Sequence, residues 1–466
     1  MVIIKQGMII EPVQNILDPF DVFTRVSSKP YPFILENSIN TISKERSAYT
    51  SWLGRFSIVG CEPEIIIKAW QNSIEIIQDG CKKIIKEDPF AVLDSILFKY
   101  KGCHEGFPSG AAVGYFGYDL KNLLEDLHPK KQDPLSIPDM IMGIYGTLFV
   151  YDHYESKGYI VSSDAGEKRL ERFKEILRLP LSIIGDGLEP KTQVTKELFL
   201  SNFTKDEYIS AIKKAKAYIR EGDIYQINLS QRFSAPFAQD PMILYSKLRK
   251  SHPVEFSAFF DYGDFQVISN SPECFLKIQN GIIETYPIKG TRPRGSSSEE
   301  DAEIVKELKT NTKELAEHIM IVDLERNDLG KVCITGTVRV KELERVVTYP
   351  TLHHMVSCVE GKIKDGVSAV DCIKPCFPGG SVTGAPKIKA MEIIDELEPT
   401  PRGIYTGAIG YIDFSGSVNL GMAIRTAVVK DKKLYLSVGG GIVADSVPED
   451  EYAETLLKAE AFLKIL

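Results

Sequence analysis

Lys289 stands in the segment Tyr286-Pro-Ile-Lys-Gly-Thr291, directly after a run, Ile282-Ile-Glu-Thr-Tyr-Pro287, that reads as a strand. The residues Ile288-Lys-Gly-Thr-Arg292 read as the turn that follows. A lysine in such a turn is ordinarily a solvated charge. If it is desolvated, its free pKa of about 10.4 falls and the neutral amine becomes a nucleophile. Glu273, in Ser271-Pro-Glu-Cys-Phe275, also follows a strand. An amine and a carboxylic acid facing each other across a ligand form a nucleophile and acid pair.

A second group is a pair of carboxylate ladders. Glu314 and Glu317 are three residues apart on one predicted helix, and Glu451 and Glu454 repeat that spacing on the last helix, with Lys458 one turn further on. Residues three apart share a helix face. Hard oxygen donors suit Mg²⁺, which is commonly held by one or two carboxylates together with substrate oxygens and water. Each pair alone reads better as a solvated face, and the two pairs by themselves do not overturn that reading.

A third group is glycine-rich. Phe377-Pro-Gly-Gly-Ser-Val-Thr-Gly-Ala-Pro-Lys387 leads into an amphipathic helix carrying Ile388, Met391, Ile394 and Leu397, and Gly439-Gly-Gly441 follows an apolar strand. Free amides at a helix start or beside glycines can hold an anion. A tight turn explains each cluster as well, and the phosphate-loop pattern is absent. His318 and the His353-His354 pair read, taken singly, as structural residues.

These groups need a scaffold. Strands are predicted at 65–67, 73–77, 143–151, 224–233, 265–269, 282–287, 405–413, 418–429 and 434–438. Helices are predicted at about 165–178, 299–325, 384–397 and 447–464. Thr204-Lys-Asp-Glu207 fits a capping box, and Gly222 stops the helix it starts. In the strand that follows, Tyr225, Ile227, Leu229 and Phe233 face one way. Gln226, Asn228, Ser230 and Arg232 face the other, an unusually polar side of the kind that walls a cavity. Gly110 to Asp119 contains glycines that allow close packing or tight turns. A linker is placed at 181–200, between a β-rich region at 1–185 and a second region at 200–466.

A length of 466 residues fits two to three domain-sized units or one large interwoven α/β body. The net charge of −8 argues against a nucleic-acid surface, which needs a basic field. No stretch approaches the roughly 20 apolar residues of a membrane span, and the N-terminus lacks signal-peptide organisation, so the cytoplasm is the default. Eight scattered cysteines, with no C-x-x-C pair, read as reduced residues and not as a zinc site.

In order along the chain, these segments resemble the chorismate-utilising enzymes, the family of the large subunits of anthranilate and aminodeoxychorismate synthases and of isochorismate and salicylate synthases. The matching segments are Tyr225–Leu229, Pro287–Gly295, Ala316–Gly330, His354–Ser357, Phe377–Ile388, Gly407–Tyr411, Arg425–Thr426 and Gly439–Lys458. The first half matches through Leu35-Glu-Asn-Ser38, Gly54-Arg-Phe-Ser-Ile58 and Gly114-Tyr-Phe-Gly-Tyr-Asp119. The resemblance implies an α/β (α+β) body whose core is a sandwich of two antiparallel sheets with helices outside. It implies that Glu317 and Glu454 bind Mg²⁺, with Glu314 and Glu451 close by. It implies that Gly290, Thr291, Thr383, Tyr405, Arg425, Gly439, Gly440, Gly441 and Lys458 line the chorismate pocket. His354 would lie near the leaving or migrating group.

One position separates the branches. Anthranilate synthases of this family carry Pro-Ile-Ala-Gly-Thr, whereas aminodeoxychorismate synthases carry Pro-Ile-Lys-Gly-Thr, as Pro287–Thr291 does. In the lysine branch, the lysine attacks ring C2 and the glutamate matching Glu273 protonates the departing C4 hydroxyl. The resemblance therefore implies aminodeoxychorismate synthase chemistry, with anthranilate synthesis and a catalytically silent chorismate- or tryptophan-binding regulator as the alternatives. It leaves room for a relict tryptophan pocket walled by Ser38, Arg55, Phe56, Phe256 and Ser257, although Glu255 replaces a small residue or proline there. No glutaminase segment is present, which implies a separate glutamine amidotransferase subunit.

Overall fold

The computed structural model describes residues 3–5, 8–13, 18–39, 54–100, 107–127, 131–163, 167–179, 199–349 and 352–463. Two large antiparallel sheets dominate it. The first runs Ile3–Lys5, Met8–Pro12, Lys157–Ser162, Thr147–Asp152, Phe56–Gly60, Phe33–Glu36, Phe256–Asp261, Phe265–Ser271, Thr426–Lys430, Lys433–Ile442, Gln226–Pro236 and Leu200–Ser201. The second runs Ile288–Pro293, Leu352–Lys362, Ile282–Tyr286, Cys274–Gln279, Val418–Met422, Ala408–Asp413, Ala111–Phe116, Met140–Tyr145, Ile65–Trp70, Ser73–Gln78 and Cys81–Lys86. Both sheets draw strands from the first 185 residues and from the residues after 200. Most of the expected linker, 180–198, lies outside the described residues.

The sheets pack face to face because successive side chains of a strand point to opposite faces. Val113 and Tyr115 join Phe33, Val150 and Val267 in the inner core. Ala112 and Phe116 face outward, against Phe90 and Val322 of the helices Pro89–Phe98 and Thr312–Val332. The outer face of the first sheet is covered by Pro19–Val26, Glu167–Leu177, Pro241–Ser251 and Pro448–Leu463. Burial on both faces explains why Ala111–Phe116 and Met140–Tyr145 are apolar throughout. The segment around Gly114 is therefore a central strand, and a side chain at Gly114 would run into the carbonyl of Ile141.

Several expected boundaries change. The strand predicted at 143–151 is two strands, Met140–Tyr145 and Thr147–Asp152, lying in different sheets. The helix predicted at 299–325 is two, Ser298–Thr310 and Thr312–Val332, parted at Asn311, whose side chain caps the second. The predicted strand 418–429 divides between the sheets in the same way, and 405–413 begins only at Ala408. Tyr225 precedes its strand and is 67% exposed, so it does not share the buried face of Ile227 and Leu229. The capping box is present, with Thr204 and Glu207 satisfying each other's amides, and Gly222 ends the helix in a left-handed conformation. Among the described residues, no helix is long and apolar enough to cross a membrane.

The chain crosses between the sheets twice at the same place. Pro272-Glu273 links Phe265–Ser271 to Cys274–Gln279, and Ala423–Arg425 links Val418–Met422 to Thr426–Lys430. The two crossings are stitched together by backbone bonds, Met422 N to Glu273 O at 2.9 Å and Asn270 N to Arg425 O at 3.1 Å. Sheet pairing, rather than sequence proximity, thus brings Glu273 and Arg425 together.

Candidate active site

The segment expected to be a turn after Pro287 is a strand, Ile288–Pro293, paired with Leu352–Lys362. Its register slips between Lys289 and Thr291, leaving Gly290 unpaired at a φ of 68°. Such a bulge re-aims neighbouring side chains. Glycine is required there, because a Cβ would lie 2.7 Å from both Glu314 Oε2 and Leu308 Cδ1. The turn reading failed because a glycine inside an edge strand looks like a turn when its pairing partner, Leu352–Lys362, is remote in sequence.

Lys289 keeps some solvent access but is enclosed by protein, as a side chain in a cleft is. Among the described residues it has no ion pair or hydrogen bond. Burial depresses its pKa below the ordinary lysine range, against the pull of Glu317, Glu273 and Glu454. Opposite, Glu273 is 6% exposed and accepts a 2.5 Å hydrogen bond from the Ser381 hydroxyl. Burial pushes its pKa up to about 7, although Ser381, Lys289 and Arg425 act to lower it. Burial thus favours the neutral amine and the proton-bearing acid, the states that nucleophilic attack and acid catalysis need.

This raised pKa has a cost in stability with a defined sign. Below the ordinary value of 4.5 the carboxyl is neutral in folded and unfolded chains alike. Above it the unfolded chain ionises freely while folded Glu273 resists until about 7, so stability is lost as pH rises across that window. Glu273→Gln is expected to leave the thermal midpoint unchanged at pH 4.5 and to raise it at pH 8, as followed by circular dichroism. Activity should fall by about 10²- to 10⁴-fold, the usual contribution of a general acid.

The ladder residues project from two helices toward this cleft. Glu317 is half-buried, and its pKa is raised first by burial and then by Glu314 and Glu454. Glu451 is raised first by burial, with Glu454 adding to it. Glu314 binds Arg292 through Oε1 at 2.8 Å, while its buried Oε2 has no partner. Glu454 pairs with Lys458 at 2.6 Å, and Lys458 Nζ also donates to Gly439 O at 2.9 Å. Among the described residues no three carboxylate, histidine or cysteine groups stand close enough to form a closed metal cluster. Mutually repelling carboxylates with an orphaned buried oxygen nonetheless fit a hard cation that takes its remaining ligands from substrate and water.

The Gly439–Gly441 run lies within the strand Lys433–Ile442 rather than after it, with Gly441 opposite Asn228 and Gly439 opposite Ser230. The missing side chains leave room for neighbours. A Cβ on Gly441 would lie 2.9 Å from Gln226 Nε2 and 3.4 Å from Lys289 Nζ. One on Gly440 would lie 3.5 Å from Glu451 Oε2. Gln226 and Asn228 thus stand beside the cleft, and each has an unpartnered side-chain oxygen. The alternating polarity of their strand carried that signal. His318, buried and hydrogen-bonded to Ser357 at 2.5 Å, was not singled out as a site residue, and nothing in its local pattern marked its nearness to Lys289.

His354 is fully enclosed. Thr291 Oγ1 lies 2.9 Å from its Nδ1, and its Nε2 has no partner. Burial, and then Arg425, lower its pKa to about 3, so it acts here as a neutral ring. Arg425 has a left-handed backbone (φ 49°), and its guanidinium has no hydrogen-bond or ion-pair partner among the described residues. A free cation on a cleft wall suits an anionic ligand. Thr383 spends its hydroxyl on Gly379 O at 2.9 Å and so shapes the glycine-rich turn. Tyr405 lines a cavity of about 320 Å³ with Arg232, Arg402 and Thr426, a cavity that Lys289 and the ladder residues do not line.

Of the residues suggested for a tryptophan pocket, Phe56, Phe256 and Ser257 line a cavity of about 420 Å³ between the sheets. Ser38 is instead bonded to both backbone groups of Val254, and Arg55 pairs with Asp152 at 2.7 Å. Glu255 also lines this cavity. Its Oε1 accepts from Tyr349 at 2.8 Å, and its buried Oε2 has no partner.

With this geometry in place, comparison with known proteins gives the class. A profile of the chorismate binding enzymes matches residues 45–464, so the chain belongs to that family. It is 36% identical to anthranilate synthase component 1 of Pseudomonas putida over 96% of this chain and 92% of the relative. It is 37% identical to aminodeoxychorismate synthase component 1 of Bacillus subtilis over 89% of each. The crystal structure of anthranilate synthase component I from Streptococcus pneumoniae superposes with a TM-score of 0.80 at 34% identity, covering 90% of this chain and 93% of that one. Overall identity therefore does not choose between the two activities.

Proposed function

We propose that this chain is the chorismate-binding component of an aminodeoxychorismate synthase. It would replace the C4 hydroxyl of chorismate with nitrogen from ammonia supplied by a separate glutamine amidotransferase subunit, a step toward p-aminobenzoate and folate. The observation that carries this reading is Lys289, an unpaired lysine enclosed in the cleft beside the buried acid Glu273.

The neutral Nζ of Lys289 attacks C2. The ring double bonds shift, the C4–O bond breaks, and Glu273 protonates the leaving hydroxyl, which departs as water. The proton gained by the alkylated lysine returns to Glu273. Ammonia then adds at C4, the double bonds shift back, and the C2–N bond breaks with its electron pair returning to lysine. The surplus proton of the new amine passes to the departing lysine nitrogen through Glu273. Glu317 and Glu454, with Glu314 and Glu451 behind them, would hold Mg²⁺, whose charge offsets the ring carboxylate of chorismate. Arg425 supplies a second positive charge on the wall, and neutral His354 offers a hydrogen-bonding ring without competing for the proton.

Purified chain given chorismate, Mg²⁺ and ammonium should yield 4-amino-4-deoxychorismate with the enolpyruvyl group retained. Fluorescent anthranilate with stoichiometric pyruvate would overturn this reading in favour of the activity carried by several of its relatives' names.

A further inference from the structure

Glu325 lies on the helix Thr312–Val332, is 7% exposed, and has no ion-pair partner among the described residues. Nearby cations are committed elsewhere, since Asp328, one turn on, takes both Lys387 and Lys331. A buried carboxylate without a cation is costly, and such groups keep their proton instead.

The hydrogen bonds of Thr285 agree. Its hydroxyl oxygen stands 2.9 Å from the carbonyl oxygen of Phe275 and 3.0 Å from Glu325 Oε2. A hydroxyl has one hydrogen, and the Phe275 carbonyl can only accept it. Both bonds are fully made when Glu325 carries its own proton and donates it to Thr285.

Glu325 and Glu273 also flank one turn. Glu325 Cγ lies 3.7 Å from where a Cβ on Gly380 would stand, and the next residue, Ser381, donates to Glu273. Phe275, on the other side of Thr285, is two residues from Glu273. We propose that Glu325 is a second buried carboxylic acid of this site, a positioning residue that keeps its proton, and its hydrogen bond to Thr285, when Glu273 gives its own proton up. The physical basis is that two close carboxyls in one buried site resist ionising together, so the pair retains one proton over a wider range than either alone. The other groups that bear on Glu325 are Asp328, Lys387, and the thiols of Cys274 and Cys376, whose own pKa values burial raises. Burial and then Glu273 push Glu325 up to about 8, in the same direction. The catalytic use of the pair rests on the proposed role of Glu273, whereas the pairing itself does not.

An infrared pH titration of the resting full-length protein tests the pairing. Wild type should show a protonated-carboxyl band near neutral pH that Glu325→Gln loses. In Glu273→Gln, the band of Glu325 should titrate at lower pH than in wild type, because the neighbouring charge is gone. Its midpoint should fall by about one pH unit, the scale of coupled sites. If Glu325→Gln leaves the band intact, or if Glu273→Gln leaves the midpoint unmoved, the pairing is wrong. A second arm follows covalent adduct formation against pH with chorismate alone. Glu325→Gln, an uncharged donor to Thr285 like the protonated acid, should leave the alkaline limb unmoved, whereas Glu325→Leu, which cannot donate to Thr285, should slow adduct formation by about tenfold, the scale of one lost buried hydrogen bond. A limb that moves in Glu325→Gln, or adduct formation in Glu325→Leu as fast as in wild type, would overturn the positioning role. Absence of any adduct in wild type would sink the reading of Lys289 while leaving the infrared result to decide the pair.

Discussion

Lys289→Ala protein is expected to fold as wild type does, bind chorismate, and form no covalent adduct. Product formation should fall by on the order of 10³-fold or more, as it does when a covalent nucleophile is removed from a site whose other groups remain. The fold should survive because the lysine makes no ion pair or hydrogen bond whose loss would strand a partner. Its removal even takes away a buried titratable group whose charged form burial disfavours. Mass spectrometry of wild type with chorismate and no ammonia should place the adduct mass on the peptide containing Lys289. An adduct on any other residue would refute the assignment. The rate of adduct formation also has a predicted shape. Its rising limb should lie below the ordinary lysine range, because burial lowers the pKa of the amine. Its falling limb should come near or above neutrality, because the acid that assists departure is Glu273, raised to about 7.

The second large effect concerns the ladders. Glu317→Gln and Glu454→Gln are each expected to lower activity by about 10²- to 10³-fold, the scale of losing a cation that stabilises developing or bound charge by several kcal/mol. A chelator should abolish wild-type activity and added Mg²⁺ should restore it. Raised Mg²⁺ should rescue Glu454→Gln further than Glu317→Gln. Glu454 is exposed and shares its charge with Lys458, whereas Glu317 is half-buried and faces Glu314 on its own helix and Glu454 across the gap. Full activity of both variants in chelator would show that the ladders are solvated faces and nothing more. The same removal of like charge gives a control. Glu317→Gln should be no less stable than wild type at neutral pH, because Glu317 is already penalised by burial and by its neighbours.

Much of the scaffold was legible because its signals are local. The capping box at Thr204 and Glu207 needs only four residues, and the alternation of Gln226 and Asn228 with Ile227 and Leu229 needs only a strand. The break at Asn311 was missed because the apolar spacing runs on through both helices, while the cap that divides them is a single side chain. The bulge at Gly290 was missed because a bulge is defined against a partner strand, and Leu352–Lys362 is remote in sequence.

The sequence by itself determined which chemistry is available: a lysine where the family also carries alanine, carboxylates at helical spacing, and glycines in place of side chains. Residue identity and short-range periodicity are sufficient for that. Only the tertiary structure decided that Lys289 is enclosed, that Glu273 and Arg425 meet where the chain crosses twice between the sheets, and that Glu325 stands behind the acid without a cation. Each of these depends on how far a group is removed from water and on which charges lie within a few ångströms of it. Those quantities are fixed by strand pairing and packing between segments far apart in the chain.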